Sequence, residues 1–193
     1  MNRLAKTVAI LLVCIALVPT SLQAQFQLNL TGNYLIPIQS GGSFDNGQWG
    51  PEVTLRYFTS PHLAIGLNAR YSTKSSSTEF PSQSLSARDK FTSISITGRV
   101  DYFFTQSALQ PYVGLEAGLY KTRFKNEITG ATAYTVAFND HYFLIGPKLG
   151  LQYRIIPSLG IDLAASYQLV PDRGSIDKTL LLGGGVFFNF GNR

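Results

Sequence analysis

The groups that could do chemistry are few and scattered. His62 and His141 are the only histidines in the 193 residues, and Cys14 is the only cysteine. Catalysis would need a nucleophile, a base and a group that orients the base. Asp140-His141 together with a serine from a neighbouring segment could imitate such a set. The serines lie in polar stretches without any ordered nucleophile motif, so the expectation is a protein that is not an enzyme. His62 ends the short turn Thr59-Ser60-Pro61-His62 and reads as a turn residue. Two distant histidines cannot supply the clustered ligands of a metal site. The glycines recur at strand spacing with no helix after them, unlike a phosphate-binding loop. No cofactor is expected.

A different set of polar groups has a clear pattern. Glu52, Arg56, Arg70, Arg99, Asp101, Glu116, Lys148, Arg154 and Asp162 all fall on the polar phase of segments that alternate apolar and polar residues. Phe26-Gln27-Leu28-Asn29-Leu30-Thr31-Gly32-Asn33-Tyr34 shows the period of two that marks a strand with unlike faces. The pattern recurs along the chain, around Leu55, Leu67, Ile96, Leu115, Leu149, Leu163 and Val186, and predicts eight strands and no helix. Short connections follow the second, fourth and sixth strands: 59–62, 104–109 and 155–159. Longer polar stretches follow the odd strands: 39–49, 74–90, 125–140 and 170–177. Short turns at one end and long loops at the other is the plan of a transmembrane β-barrel.

Composition and the N-terminus agree with that plan. Charged residues are 14% of the chain, against about 25% in an average soluble domain. At 45% hydrophobic residues the chain is too apolar to be disordered. Arg3 and Lys6 precede the apolar run Val8 to Val18, and Ala24 is a small residue at a suitable cleavage point. This reads as a Sec signal peptide over residues 1–24, followed by one barrel domain over 25–193. The apolar run is shorter than the roughly 20 residues a spanning helix needs. Cys14 lies inside it and leaves with it. The net charge of +5 includes Arg3 and Lys6. The remaining basic residues are spread along the chain and the protein is exported, so nucleic acid is not an expected partner.

Alternation alone does not say which face is outside. Three features point to lipid outside the apolar face. Tyr57, Tyr102, Tyr153, Phe188 and Phe190 end downward strands on that face, and Tyr34, Tyr71 and Tyr167 end upward ones. They would make two aromatic belts at the membrane interfaces. No charge interrupts the apolar face between the belts. The polar face is rich in Gly, Ser, Thr and Asn rather than the dense charge of a soluble surface. The nine lumen charges would then be ion pairs plugging a barrel whose interior is just wide enough for its own side chains. Hairpin registers suggest Glu116 with Lys148, Arg154 with Asp162, and Glu52 with Arg70.

Pro111-Tyr112-Val113-Gly114-Leu115-Glu116-Ala117-Gly118-Leu119-Tyr120 resembles the central strand of small bacterial outer-membrane β-barrel proteins. Gly146-Pro147-Lys148-Leu149-Gly150-Leu151 and Gly184-Gly185-Val186-Phe187-Phe188-Asn189-Phe190 resemble the same group. It comprises OmpA-like and OmpW-like barrels and the beta-barrel domain proteins common in Bacteroidota. The resemblance covers the whole mature chain and implies a fold and a compartment, the bacterial outer membrane, rather than an activity. It also implies recognition by the barrel-insertion machinery through Phe188 and Phe190. Here Gly191-Asn192-Arg193 follow Phe190, whereas such chains often end on the aromatic itself. Beside the resemblance, the expected role is structural or surface recognition through extracellular loops; the dispersed basic residues are expected to meet outer-membrane lipid and lipopolysaccharide at the rim, and an external ligand the loops. The alternatives are a small channel or transporter for a solute or hydrophobic compound, and an enzyme acting on lipid A.

Overall fold

The computed structural model describes residues 25–38, 47–80, 85–129, 134–172 and 175–190. The expected signal peptide and the last three residues lie outside them. Eight strands follow one another: β1 (Gln25–Pro37), β2 (Gln48–Phe58), β3 (Leu63–Phe80), β4 (Leu85–Phe103), β5 (Leu109–Thr129), β6 (Tyr134–Ile156), β7 (Leu159–Asp172) and β8 (Ser175–Phe190). Each pairs antiparallel with its sequence neighbours, and β1 pairs with β8, closing the barrel. Closure matters because a lipid-exposed strand edge would leave backbone N–H and C=O groups without partners.

The alternating sequence sets the two faces. Leu67, Leu119 and Leu149 point outward and are 64%, 71% and 63% exposed. Residues on the other phase of the same strands, Asn68, Glu116 and Lys148, are buried in the lumen. A surface of leucine, isoleucine and valine around a core of amides and charges is unstable in water and stable in hydrocarbon. The protein is a transmembrane barrel. Outside it, Tyr57, Tyr102, Tyr153, Phe188 and Phe190 stand toward the turns at 59–62, 104–108 and 157–158. Tyr34, Tyr71 and Tyr167 stand toward the other end.

The strands depart from expectation in length. Polar residues 74–90 and 125–140 read as loops, but most of them are strand. β3 and β4 pair up to Phe80 and Leu85, and β5 and β6 up to Ile128 and Tyr134. β7 and β8 likewise pair up to Asp172 and Ser175, within the expected loop 170–177. Beyond the lipid both faces of a strand meet water, so the period-two signal fades while the backbone ladder continues. As a result β3 to β6, at 18, 19, 21 and 23 residues, rise as a wall above β1 and β2, at 13 and 11.

Candidate functional site: the lumen and the raised wall

The lumen is packed with charge. Arg56, Arg70, Arg99 and Lys148 are buried in it with Glu52, Asp101, Glu116 and Asp162, so formal charges cancel. Glu52 is the upper hub. Its carboxylate accepts from Arg70 Nε at 2.7 Å, from Lys148 Nζ at 3.0 Å and from Asn33 Nδ2 at 3.2 Å. Asp101 is the hub for two guanidiniums, Arg56 Nε at 2.8 Å and Arg99 Nη2 at 2.8 Å. Asp162 accepts from Asn29 Nδ2 at 2.5 Å, Tyr112 Oη at 3.1 Å and Gln152 Nε2 at 3.2 Å, with Arg56 Nη1 at 3.4 Å.

Of the three pairings suggested by hairpin register, the structure contains one. Glu52 and Arg70 are direct register partners and bond. Lys148 bonds Glu52 instead of Glu116. Glu116 accepts from Ser166 Oγ at 2.8 Å and Gln168 Nε2 at 2.5 Å, with Arg70 Nη2 at 3.7 Å. Asp162 stands opposite Gln152, not Arg154. Arg154 sits near the short turn between β6 and β7, half-buried, opposite Gly160 and beside a bulge in β6. The reason is closure. In so narrow a barrel a long side chain reaches the far wall, so Lys148 on β6 meets β2, and Arg56 on β2 meets β7. Reasoning from adjacent strands could not reach those pairs.

Each end of the lumen adds apolar side chains to the polar ones, with Gln110 and Gln152 buried toward the short turns and Ser72, Ser93 and Gln168 toward the other end. Toward the short turns, Phe58, Phe103 and Tyr112 form one buried cluster with Ala64, and Phe187 is also buried. The Arg56 guanidinium carbon lies 4.8 Å from the Tyr112 ring centre and 5.6 Å from that of Phe103, a cation–π arrangement. Gly150 is tied to this cluster, because a Cβ there would collide with the Tyr112 ring. At the other end Leu35, Leu144, Val170 and Leu181 are buried. Sequence reading overlooked the inward aromatics. Their signal is the doublet: Tyr57-Phe58, Tyr102-Phe103 and Phe187-Phe188 each place one ring in the outer belt and one in the plug. Tyr112→Phe keeps the ring under Arg56 and removes one of several donors to Asp162. It should cost about 1 to 2 kcal/mol, as loss of one bond to a buried charge does, read as a shift in the urea midpoint.

The other chemical groups are separated. Asp140 and His141 are consecutive strand residues and point to opposite faces, so they do not form a base with its orienter. His62 Nδ1, in the tautomer protonated there, donates to the Phe103 carbonyl at 2.7 Å. Its Nε2 lies 3.2 Å from Gln106 Nε2. It thus joins two neighbouring turns. No group of three metal-ligating side chains occurs among the described residues.

Above the lipid, the inner face of the wall carries an aromatic row. Phe91, Phe124 and Phe138 are register partners across β4, β5 and β6, and Phe138 is 59% exposed. Tyr120 and Tyr142 pair below them, with ring centres 6.5 Å apart.

Solved structures share this architecture. Neisserial surface protein A superposes with a TM-score of 0.63 at 19% identity, covering 86% of this chain and 97% of that one. The fold is that of the small bacterial outer-membrane barrels. Ail, the attachment invasion locus protein of Yersinia pestis, crystallised with the heparin analogue sucrose octasulfate, gives 0.63 at 14% identity, covering 88% and 100%. The outer membrane protein OprG from Pseudomonas aeruginosa gives 0.56 at 14% identity, covering 87% and 96%. Such identities establish the barrel fold and nothing finer. No protein-family model and no curated sequence matches the chain.

Proposed function

We propose that this protein is a non-enzymatic, non-conducting barrel of the bacterial outer membrane, delivered by Sec export, that presents the β3–β6 wall as its surface for extracellular partners. The observation that carries the reading is the filled lumen. Cancelling charges occupy its middle, and buried aromatic, aliphatic and amide side chains fill it toward both ends, so the chemically available surface lies outside and above. The wall supplies it, with the Phe91, Phe124 and Phe138 row in reach of an external ligand. Insertion through Phe188 and Phe190 belongs to the same proposal. Both lie at the end of β8, which closes the barrel on β1.

A second reading, a small channel, is favoured by one observation. Ser72 Oγ, Ser95 Oγ, Thr97 Oγ1, Asn68 Nδ2 and both terminal nitrogens of Arg70 are buried without hydrogen-bond partners. Buried polar atoms of this kind are normally satisfied by ordered water, which would hydrate part of the lumen. Single-channel recording in planar bilayers separates the two. The plug predicts silence in the wild type and openings in Phe103→Ala, which opens the periplasmic seal. Frequent stable openings in the wild type would establish the channel and end the plug reading.

A further inference from the structure

Among the described residues, the raised wall ends in a strand edge that no other strand covers. β6 pairs with β5 up to Tyr134, whereas its pairing with β7 stops at Ile145, opposite Leu169. Continuing that register would put Asp172, the last residue of β7, level with Tyr142. β7 goes no higher, because Asp172 already pairs with Ser175 at the end of the β7–β8 hairpin. Residues 134–141 of β6 therefore stand beyond the reach of β7. In an antiparallel ladder alternate residues bond a given neighbour, so every second residue of this stretch points its N–H and C=O away from β5.

Strand edges are commonly blunted by lysine, proline or a bulge. The stretch 134–141 contains no lysine, arginine or proline, and its register with β5 has no shift. The wall's other edge differs: β3 continues past Thr73, paired with Trp49 of β2, and opens on Lys74. The side chains beside the β6 edge also have a pattern. Val136, Phe138 and Asp140 share the inner face of the strand. Phe138 and Asp140 are exposed, and Asp140 has no ion pair or hydrogen bond among the described residues.

We propose that the β6 edge takes up an extended segment of an extracellular polypeptide as an added strand, with apolar residues beside Val136 and Phe138 and a basic residue beside Asp140. This rests on the reading of the wall as the partner-facing surface and gives that partner a form. In strand addition, main-chain hydrogen bonds supply affinity and alternate side chains supply selectivity. A segment from solution fits better than a second copy of this chain. A strand added beside β6 stands directly above β7, so the rest of a second barrel in the same bilayer would collide with β7. A segment arriving from above meets no such obstacle.

The test uses the refolded barrel in phosphatidylcholine nanodiscs and a synthetic peptide in which threonine alternates with valine and lysine. Two further peptides carry N-methyl groups on one or the other phase of backbone amides. Fluorescence anisotropy reads binding, and amide hydrogen exchange resolved by NMR reads its place. The expected result is slowed exchange at every second residue of 134–141, abolished by one phase of N-methylation and kept with the other. Asp140→Lys should weaken binding about five-fold, as exchanging an opposite-charge cross-strand pair for a like-charge one does. Glutamate in place of the peptide's lysine should restore it. Equal binding of all three peptides, protection elsewhere, or no binding at millimolar peptide would overturn the proposal. So would the same protection without peptide, rising with protein concentration, which would assign the edge to a second copy. Heat-modifiable gel migration verifies the barrel in each variant. Failure of the underlying reading shows separately, as stable openings of the wild type in planar bilayers, whereas a silent barrel that leaves the peptide free refutes the edge alone.

Discussion

Replacing Glu52 by alanine is expected to destabilise the folded barrel by about 3 to 5 kcal/mol, the cost of breaking a buried ion pair by removing one partner. Glu52 is 2% exposed and holds both Arg70 and Lys148. Its loss leaves two buried cations without their shared carboxylate, the next contact of Arg70 being Glu116 at 3.7 Å. The urea midpoint of the protein refolded in detergent micelles reads the effect through Trp49, the only tryptophan, which is exposed beside Tyr34 at 4.8 Å. The double variant Glu52→Ala/Lys148→Met is the sharper probe. Removing the second charge with an apolar replacement should restore a substantial part of the loss. A double variant no more stable than Glu52→Ala would mean that Lys148 is not compensated by Glu52 at all. A single variant as stable as the wild type would show that water, not protein, neutralises the lumen.

Leu67→Arg should be nearly as damaging for the opposite reason. Leu67 is 64% exposed on the outer face, level with Leu55 on β2 and Gly98 on β4, below the Tyr71 belt. Arginine near the midplane of a barrel's lipid face costs about 2 to 4 kcal/mol. Leu67→Ala should cost far less, because no protein core surrounds the side chain to collapse or leave a cavity. Asn68→Arg, one residue on, meets a different environment: Asn68 is 2% exposed and accepts from Thr54 Oγ1 at 3.1 Å in the packed lumen. Its penalty is overpacking and an unpaired charge, so it should not change with lipid chain length, whereas that of Leu67→Arg should fall in thinner bilayers. Urea midpoints in vesicles of short-chain and long-chain phosphatidylcholine measure both. Identical dependence on bilayer thickness for the two variants would reverse the assignment of faces at this strand.

The barrel itself was legible in the sequence, and for a physical reason. A strand between lipid and lumen meets unlike solvents on its two sides, so residues such as Leu67 and Asn68 must alternate, and the alternation counts the strands. Tyr57, Tyr102 and Tyr153 marked strand ends because the turns follow them directly. The same logic explains where sequence reading stopped. Above the membrane both sides are wet, the alternation disappears, and residues 74–80 and 134–140 looked like loop although their backbones continue the ladder. Within the lumen, the polar phase identified Glu52, Arg56, Asp101, Lys148 and Asp162 as inward residues. It could not assign their partners. Local pairing follows register between adjacent strands, which is why Glu52 with Arg70 was readable. Lys148 with Glu52, and Arg56 with Asp162, exist only because closing β1 on β8 brings opposite walls within one side chain's reach. Tertiary structure also decided the fate of the aromatic doublets, since a period of two sends one ring of Tyr102-Phe103 to lipid and the other to the plug.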